Sequence, residues 1–288
     1  MTAETFNDAE LRQAMHRVRT EVDKAVVGQA GTVTGLLVSL LARGHVLLEG
    51  VPGVAKTLVV RSFARALGLD TKRVQFTPDL MPGDVTGSLV YDARTGEFDF
   101  RAGPVFTNIL LADEINRTPP KTQAALLEAM EERQVSADGV SRPLPDPFLV
   151  AATQNPIEHE GTYSLPEAQL DRFLMKLVVG MPERDAEVSV LRKHASGFSP
   201  RELTGVEATV SADEIRAAQD AAGRVEVTDD VLGYVVDLAR ATRQSPSVEL
   251  GASPRASTGL LAAAKAWAWL NASTAVTPDH VQTMLVPV

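Results

Sequence analysis

A chain of 288 residues holds about two domains at roughly 150 residues each. Its composition, 44% hydrophobic and 23% charged, is that of an ordinary globular protein with a sizeable core. With 28 Lys and Arg against 37 Asp and Glu the net charge is −9, which disfavours a protein whose main work is coating DNA or an anionic membrane, and zero cysteines exclude disulfides, Cys-ligated zinc, iron–sulfur clusters and thiolate catalysis.

The five histidines share no metal-ligand spacing, and His159, between two glutamates, reads as part of a polar loop. No segment approaches the about 20 nearly uninterrupted apolar residues of a membrane span. The polar, acidic first ten residues do not resemble a signal peptide, so the cytoplasm is the expected compartment.

In chain order, Leu11, Met15, Val18 and Val22 recur at helical steps after a candidate cap at Asp8. Val33, Leu36, Leu37, Leu40 and Leu41 make a second helical stripe, expected in the core. The period then changes. Short apolar runs at 45–49, 74–76, 108–112, 148–152 and 173–179 read as strands, with helices expected near 56–67, 119–132 and 167–171. Five short buried strands alternating with helices imply an α/β fold with a five-stranded parallel sheet covered on both faces.

Two stretches interrupt the alternation. Residues 88–100 read as a hairpin around a five-residue, Gly-containing turn, and 134–145 as a second hairpin turning at Asp138-Gly139; both are expected to project from the sheet. After 182 the strand signal ends and helix starts follow: Ser211 with Glu214 in capping-box spacing, Thr228, Ser253-Pro254 and Thr277-Pro278. The chain is therefore divided into a core, 1–185, and a linker with a small helical domain, 186–288. Trp267 and Trp269, two apart in a helix, cannot share a face, so one is expected to pack and the other to be exposed at an interface.

The segment richest in chemistry is Gly50-Val51-Pro52-Gly53-Val54-Ala55-Lys56-Thr57, between a strand and a helix. There, backbone N–H groups and the positive helix end can surround phosphates, Lys56 can neutralise the β- and γ-oxygens, and Thr57 can reach Mg²⁺. The usual pattern has glycine where Ala55 stands. The strand at 109–112 runs into Asp113 and Glu114, fit respectively to hold the Mg²⁺ shell and to deprotonate an attacking water. The strand at 148–153 ends in Gln154-Asn155, whose amide can hydrogen-bond water and γ-phosphate, although Asn155-Pro156 is also an ordinary turn dipeptide. Arg172 precedes a strand and Arg255 starts a helix; a guanidinium fork suits phosphate oxygens, and either residue alone also suits a surface ion pair.

Taken together, 50–57, 110–117 (LLADEINR), 118–134, Gln154-Asn155-Pro156, 165–173 and Gly251-Ala252-Ser253-Pro254-Arg255 resemble the MoxR-type AAA+ ATPases, in order and spacing over nearly the whole chain. In that family Gly-x-Pro-Gly-x-Ala-Lys-Thr is common, which accounts for Ala55. The resemblance implies a P-loop AAA+ αβα core with an all-α lid, ATP and Mg²⁺ as cofactors, and a ring, as a hexamer. It implies that Asn155 is sensor 1, that Arg255 is sensor 2 reaching the nucleotide from the lid, and that Arg172 is the arginine finger serving a neighbouring subunit. Val27, Gly28 and Gln29 look like the adenine-side segment, and the hairpins like the helix-2 and pre-sensor-1 inserts that line the pore. A protein client is implied, for chaperone-like assembly or metal-cofactor insertion, often with a partner bearing a von Willebrand factor A domain.

Two other readings stand beside that remodelling ATPase. A nucleic-acid motor of MCM type is disfavoured because 92–97 carries one Arg against two acids and 136–140 an acid and no base, where a DNA-tracking loop presents Lys or Arg. A nucleotide-dependent scaffold with little turnover differs only in whether Glu114 works.

Overall fold

The computed structural model describes residues 6–156 and 162–288; His159 lies outside them. The first helix, α1 (Asp8–Asp23), is capped by Asn7 rather than Asp8: the Asn7 side-chain oxygen accepts the Ala9 N–H at 3.0 Å. Asp8 instead accepts the indole N–H of Trp269 at 3.2 Å, a partner 261 residues away that no local pattern announces. Then come α2 (Ala30–Leu41), β1 (Val46–Glu49), α3 (Lys56–Leu67), β2 (Thr71–Gln75) and a short α4 (Pro82–Thr86). The first hairpin, β3 (Gly87–Asp92) and β4 (Glu97–Ala102), is followed by β5 (Ile109–Asp113) and α5 (Pro120–Glu132). The second hairpin, β6 (Gln134–Ala137) and β7 (Val140–Pro143), leads to β8 (Leu149–Gln154), α6 (Glu167–Leu170) and β9 (Met175–Val178). Helices α7 (Arg184–Ala195), α8 (Ala212–Gly223), α9 (Asp229–Gln244), α10 (Pro254–Leu270) and α11 (Pro278–Leu285) complete the chain.

The five expected strands form one parallel sheet in the order β2-β5-β8-β1-β9. The inner strands β5, β8 and β1 have the near-continuous apolar character of strands covered on both faces, whereas the edge strand β2 exposes Lys72 and Arg73; successive residues of the inner strands divide between two hydrophobic clusters. Val46, Leu48, Ile109, Leu111, Leu149 and Ala151 pack toward α1, α2 and α3, whereas Leu47, Leu110, Ala112, Val150 and Ala152 pack toward α5. Because β8 lies between β1 and β5, the carboxyl ends of these three strands stand side by side, the place where open α/β sheets take ligands.

Both hairpins form separate two-stranded sheets. At the first, Tyr91 opposes Phe98 across the strands, rings 5.3 Å apart and both exposed. The hairpins touch: the Arg142 guanidinium of β7 lies 4.1 Å over the Phe100 ring of β4.

The stretch read as a linker just after 185 is helical. Helix α7 buries none of its residues fully, so it lacks the apolar periodicity that would have revealed it. Beyond it, α8 and α10 pack on α1 and α2, joining the helical region to the core's larger hydrophobic cluster. Trp269 is the one of the pair that packs, buried there, and Trp267 is half-buried against the same cluster rather than exposed.

Candidate active site

Strand β1 delivers the chain into a turn, 50–55, that opens α3. Gly53 (φ 88°) and Ala55 (φ 66°) both lie in the left-handed region, which turns the backbone sharply. At Gly53 the conformation and not crowding calls for glycine, since a Cβ would meet nothing within 4 Å. Ala55 carries a cost of about 1–2 kcal/mol for the same region. Lys56 Nζ donates to the Gly50 carbonyl and, at 3.3 Å, to that of Val51, so its ammonium lies over the turn. Thr57, one residue further, places its hydroxyl 3.3 Å from an Asp113 carboxylate oxygen.

Asp113 ends β5, buried, with every strand residue before it buried as well. One carboxylate oxygen accepts Thr153 Oγ1 at 2.6 Å; the other accepts Arg73 Nε at 3.0 Å and Nη2 at 2.7 Å. Glu114 follows in a left-handed conformation (φ 58°), unusual for a side chain of its size and a form of strain found at functional sites. Its N–H donates to Thr153 Oγ1 at 2.9 Å, and its carboxylate accepts Gln75 Nε2 at 2.6 Å and Arg117 Nη1 at 3.0 Å. Asn155, buried, leaves β8 between these acids and the turn after β1.

Thr153, Gln75, Arg73 and Arg117 were not singled out from the sequence. Strand register brings the first three to the acids, and only the spacing of Arg117 from Glu114 offered a local signal. The Thr57 hydroxyl and Asp113 carboxylate are hard oxygen donors that fit Mg²⁺ completed by phosphate oxygens and water. Among the described residues no group of three or more His, Cys, Asp or Glu could hold a metal ion by itself, so such an ion would depend on the phosphates.

Beside the turn lies a cavity of about 320 Å³, within the range of small-ligand sites. Val27 and Gln29 line it with Gly53, Val54 and Ala55 on one side, and Val190, Leu191 and His194 of α7 on the other. Its apolar wall suits a nucleobase. Gly28 adopts φ 77°, and a Cβ there would stand 3.1 Å from that of Ala186, so glycine lets α7 approach. Lys193 Nζ ties α7 down by donating to the carbonyls of Asp23 and Lys24 at 2.7 and 2.8 Å, at the negative end of α1. Gln29 Nε2 donates to the Gly180 carbonyl at 3.1 Å.

Arg172 and Arg255 are brought together, but not there. Both meet Glu131, at the end of α5, and line a second cavity with His45 and Leu47 near the start of β1. The nucleotide turn follows the other end of β1, about 13 Å away along four residues of strand. Arg255 lines this second cavity and is not among the residues lining the base cavity.

A parallel sheet that feeds a left-handed turn into Lys-Thr, beside a strand ending in Asp-Glu and beneath a helical region, defines a P-loop ATPase of the AAA+ class. Residues 45–175 match the ATPase family associated with various cellular activities (AAA), and 240–288 match the AAA lid domain. The chain is 47% identical to Chaperone MoxR1 of Mycobacterium tuberculosis, over 93% of this chain and 72% of the relative. It is 48% identical to YeaC of Bacillus subtilis, an uncharacterized protein, over 95% and 84%, and 37% identical to Protein MoxR of Paracoccus denitrificans, over 91% and 83%. A crystal structure from Cytophaga hutchinsonii, assigned to the ATPases, superposes with a TM-score of 0.87 at 40% identity, covering 96% of this chain and 86% of that one. The chain belongs to the MoxR-type AAA+ ATPases.

Proposed function

We propose that this ATPase works as a ring, a hexamer, in which Mg²⁺-dependent hydrolysis drives remodelling of a protein client. Lys56 neutralises the β- and γ-phosphates, and Thr57 and Asp113 hold the ion. Glu114 takes a proton from the attacking water, and Asn155 aligns that water with the γ-phosphate. Arg172 and Arg255 stabilise the transition-state charge in the neighbouring subunit's site. The observation that carries this reading is the convergence of both arginines on Glu131, across the length of β1 from their own nucleotide turn.

Support for a protein client comes from the hairpins, which the family resemblance assigns to the pore. Arg94 at the first tip is paired to Asp92 at 3.0 Å, and Arg142 of the second hairpin is stacked on Phe100, so neither tip offers an unengaged cation to a phosphate backbone. Tyr91 and Phe98 offer apolar rings instead. Among the described residues no helix is long and apolar enough to cross a membrane; the cytoplasm, where ATP is plentiful, is the compartment this reading implies. Chaperone-like assembly or metal-cofactor insertion, with a von Willebrand factor A domain partner, is the work the resemblance implies.

The test is a pull-down with the Glu114→Gln form, with and without ATP, followed by binding to the recovered protein in purified form. ATP-dependent capture of a defined protein supports the reading. Tight single-strand DNA binding with a steep salt slope would instead favour the nucleic-acid motor.

A further inference from the structure

Arg172 and Arg255 come from different parts of the chain, the turn after α6 and the first turn of α10, yet one carboxylate takes both. Glu131 Oε2 accepts Arg172 Nε and Oε1 accepts Arg255 Nη1, each at 2.8 Å. The two guanidiniums, Arg255 first, hold the Glu131 carboxyl below the usual glutamate range. A second contact registers the same two elements. Asp171, beside Arg172, accepts Ser253 Oγ at 3.0 and 3.1 Å, and Ser253 caps α10 by accepting the Ala256 N–H at 3.0 Å.

This arrangement does three things. It offsets the repulsion between two neighbouring guanidiniums while leaving one net positive charge. It also fixes in advance two long side chains that otherwise lose much rotamer freedom on being ordered. And it engages Arg172 through Nε, so that among the described residues Nη2 of Arg172 and Nη2 of Arg255 have no hydrogen-bond partner within the chain.

We propose that Glu131 is a positioning residue for ATP hydrolysis, its carboxylate holding Arg172 and Arg255 as one two-pronged unit presented to the γ-phosphate of the neighbouring subunit. The proposal rests on the trans-acting reading of the two arginines given above.

The test uses co-assembled full-length chains. Lys56→Ala subunits cannot bind ATP productively but keep both arginines, and Arg172→Ala subunits keep their site but lack the finger, so the mixture is expected to recover hydrolysis that neither shows alone. Adding Glu131→Gln to the Lys56→Ala subunit should lower the recovered rate about tenfold with little change in KM for ATP, as misaligned catalytic groups do. Glu131→Asp, which keeps the charge, should restore part of it and serves in its place should the glutamine form fail to fold. Adding Glu131→Gln to the Arg172→Ala subunit is the control for folding and assembly, because the arginines of that subunit face the disabled site. A rate unaffected by the change in the Lys56→Ala subunit overturns the proposal, and so does an equal loss from either placement, which would mark a structural role. If the parent mixture recovers nothing, the trans reading fails first and the proposal with it.

Discussion

His45 stands immediately before β1, 5% exposed, and joins the sheet to α5. Its Nδ1 accepts the Val150 N–H at 3.0 Å, which makes Nε2 the protonated nitrogen that donates to the Met130 carbonyl at 3.2 Å. Burial pushes its pKa from 6.5 down to about 4; the charges of Arg133 and Arg255 act in the same direction, and the hydrogen bond to Met130 opposes them. The folded state therefore keeps the ring neutral while the unfolded chain takes up a proton at its ordinary pKa. Stability from this group is complete above pH 6.5 and is lost as pH falls from 6.5 towards 4. At pH 5 the unfolded form is almost fully protonated and the folded form scarcely so, a difference of about 2 kcal/mol. Glutamine can supply one donor and one acceptor without titrating. Urea unfolding of the unaltered protein and of His45→Gln at pH 7 and pH 5 should show the unaltered protein losing about 2 kcal/mol more than the variant over that interval. Equal losses would show that His45 is not held neutral by the fold, since every other titrating group is common to both.

Two further substitutions separate binding from chemistry. Glu114→Gln should bind ATP and release phosphate at least 100-fold more slowly, the usual scale for losing a general base; phosphate-release rates equal to those of the unaltered protein would leave Glu114 without a catalytic role. Lys193→Met removes two hydrogen bonds that hold α7 over the base cavity, a loss of about 1–2 kcal/mol. KM for ATP should rise roughly five- to thirtyfold by the same energy with kcat little changed, and an unchanged KM would show that α7 does not form the base wall.

The inner strands were legible because buried parallel strands are short apolar runs punctuated by glycine and acids, and both hairpins because Gly96 and Asp138-Gly139 mark their turns; β2, expected at 74–76, runs over Thr71–Gln75, and its exposed Lys72 and Arg73 give its start no apolar signal. Helix α7 was not legible: its apolar residues touch a ligand cavity rather than the core, so no stripe marks them. The cap at Asn7 was displaced by one residue because Asp8 serves Trp269 across the fold. Around the candidate site, Lys56, Thr57, Asp113 and Glu114 stand out by spacing within one segment or at one strand end. Thr153, Gln75 and Arg73 reach the acids only through the register of neighbouring strands. Glu131 lies 41 residues from Arg172 and 124 from Arg255, and only the docking of α10 against the core brings the three together.

In the proposed ring a subunit's ATP is hydrolysed with arginines from its neighbour. Phosphate release per subunit, measured across protein concentrations that span assembly followed by sedimentation, tests it most directly. Trans-acting arginines require a low rate for isolated subunits that rises with assembly and then levels off. A per-subunit rate that stays constant down to concentrations at which the chain sediments as a monomer would contradict it.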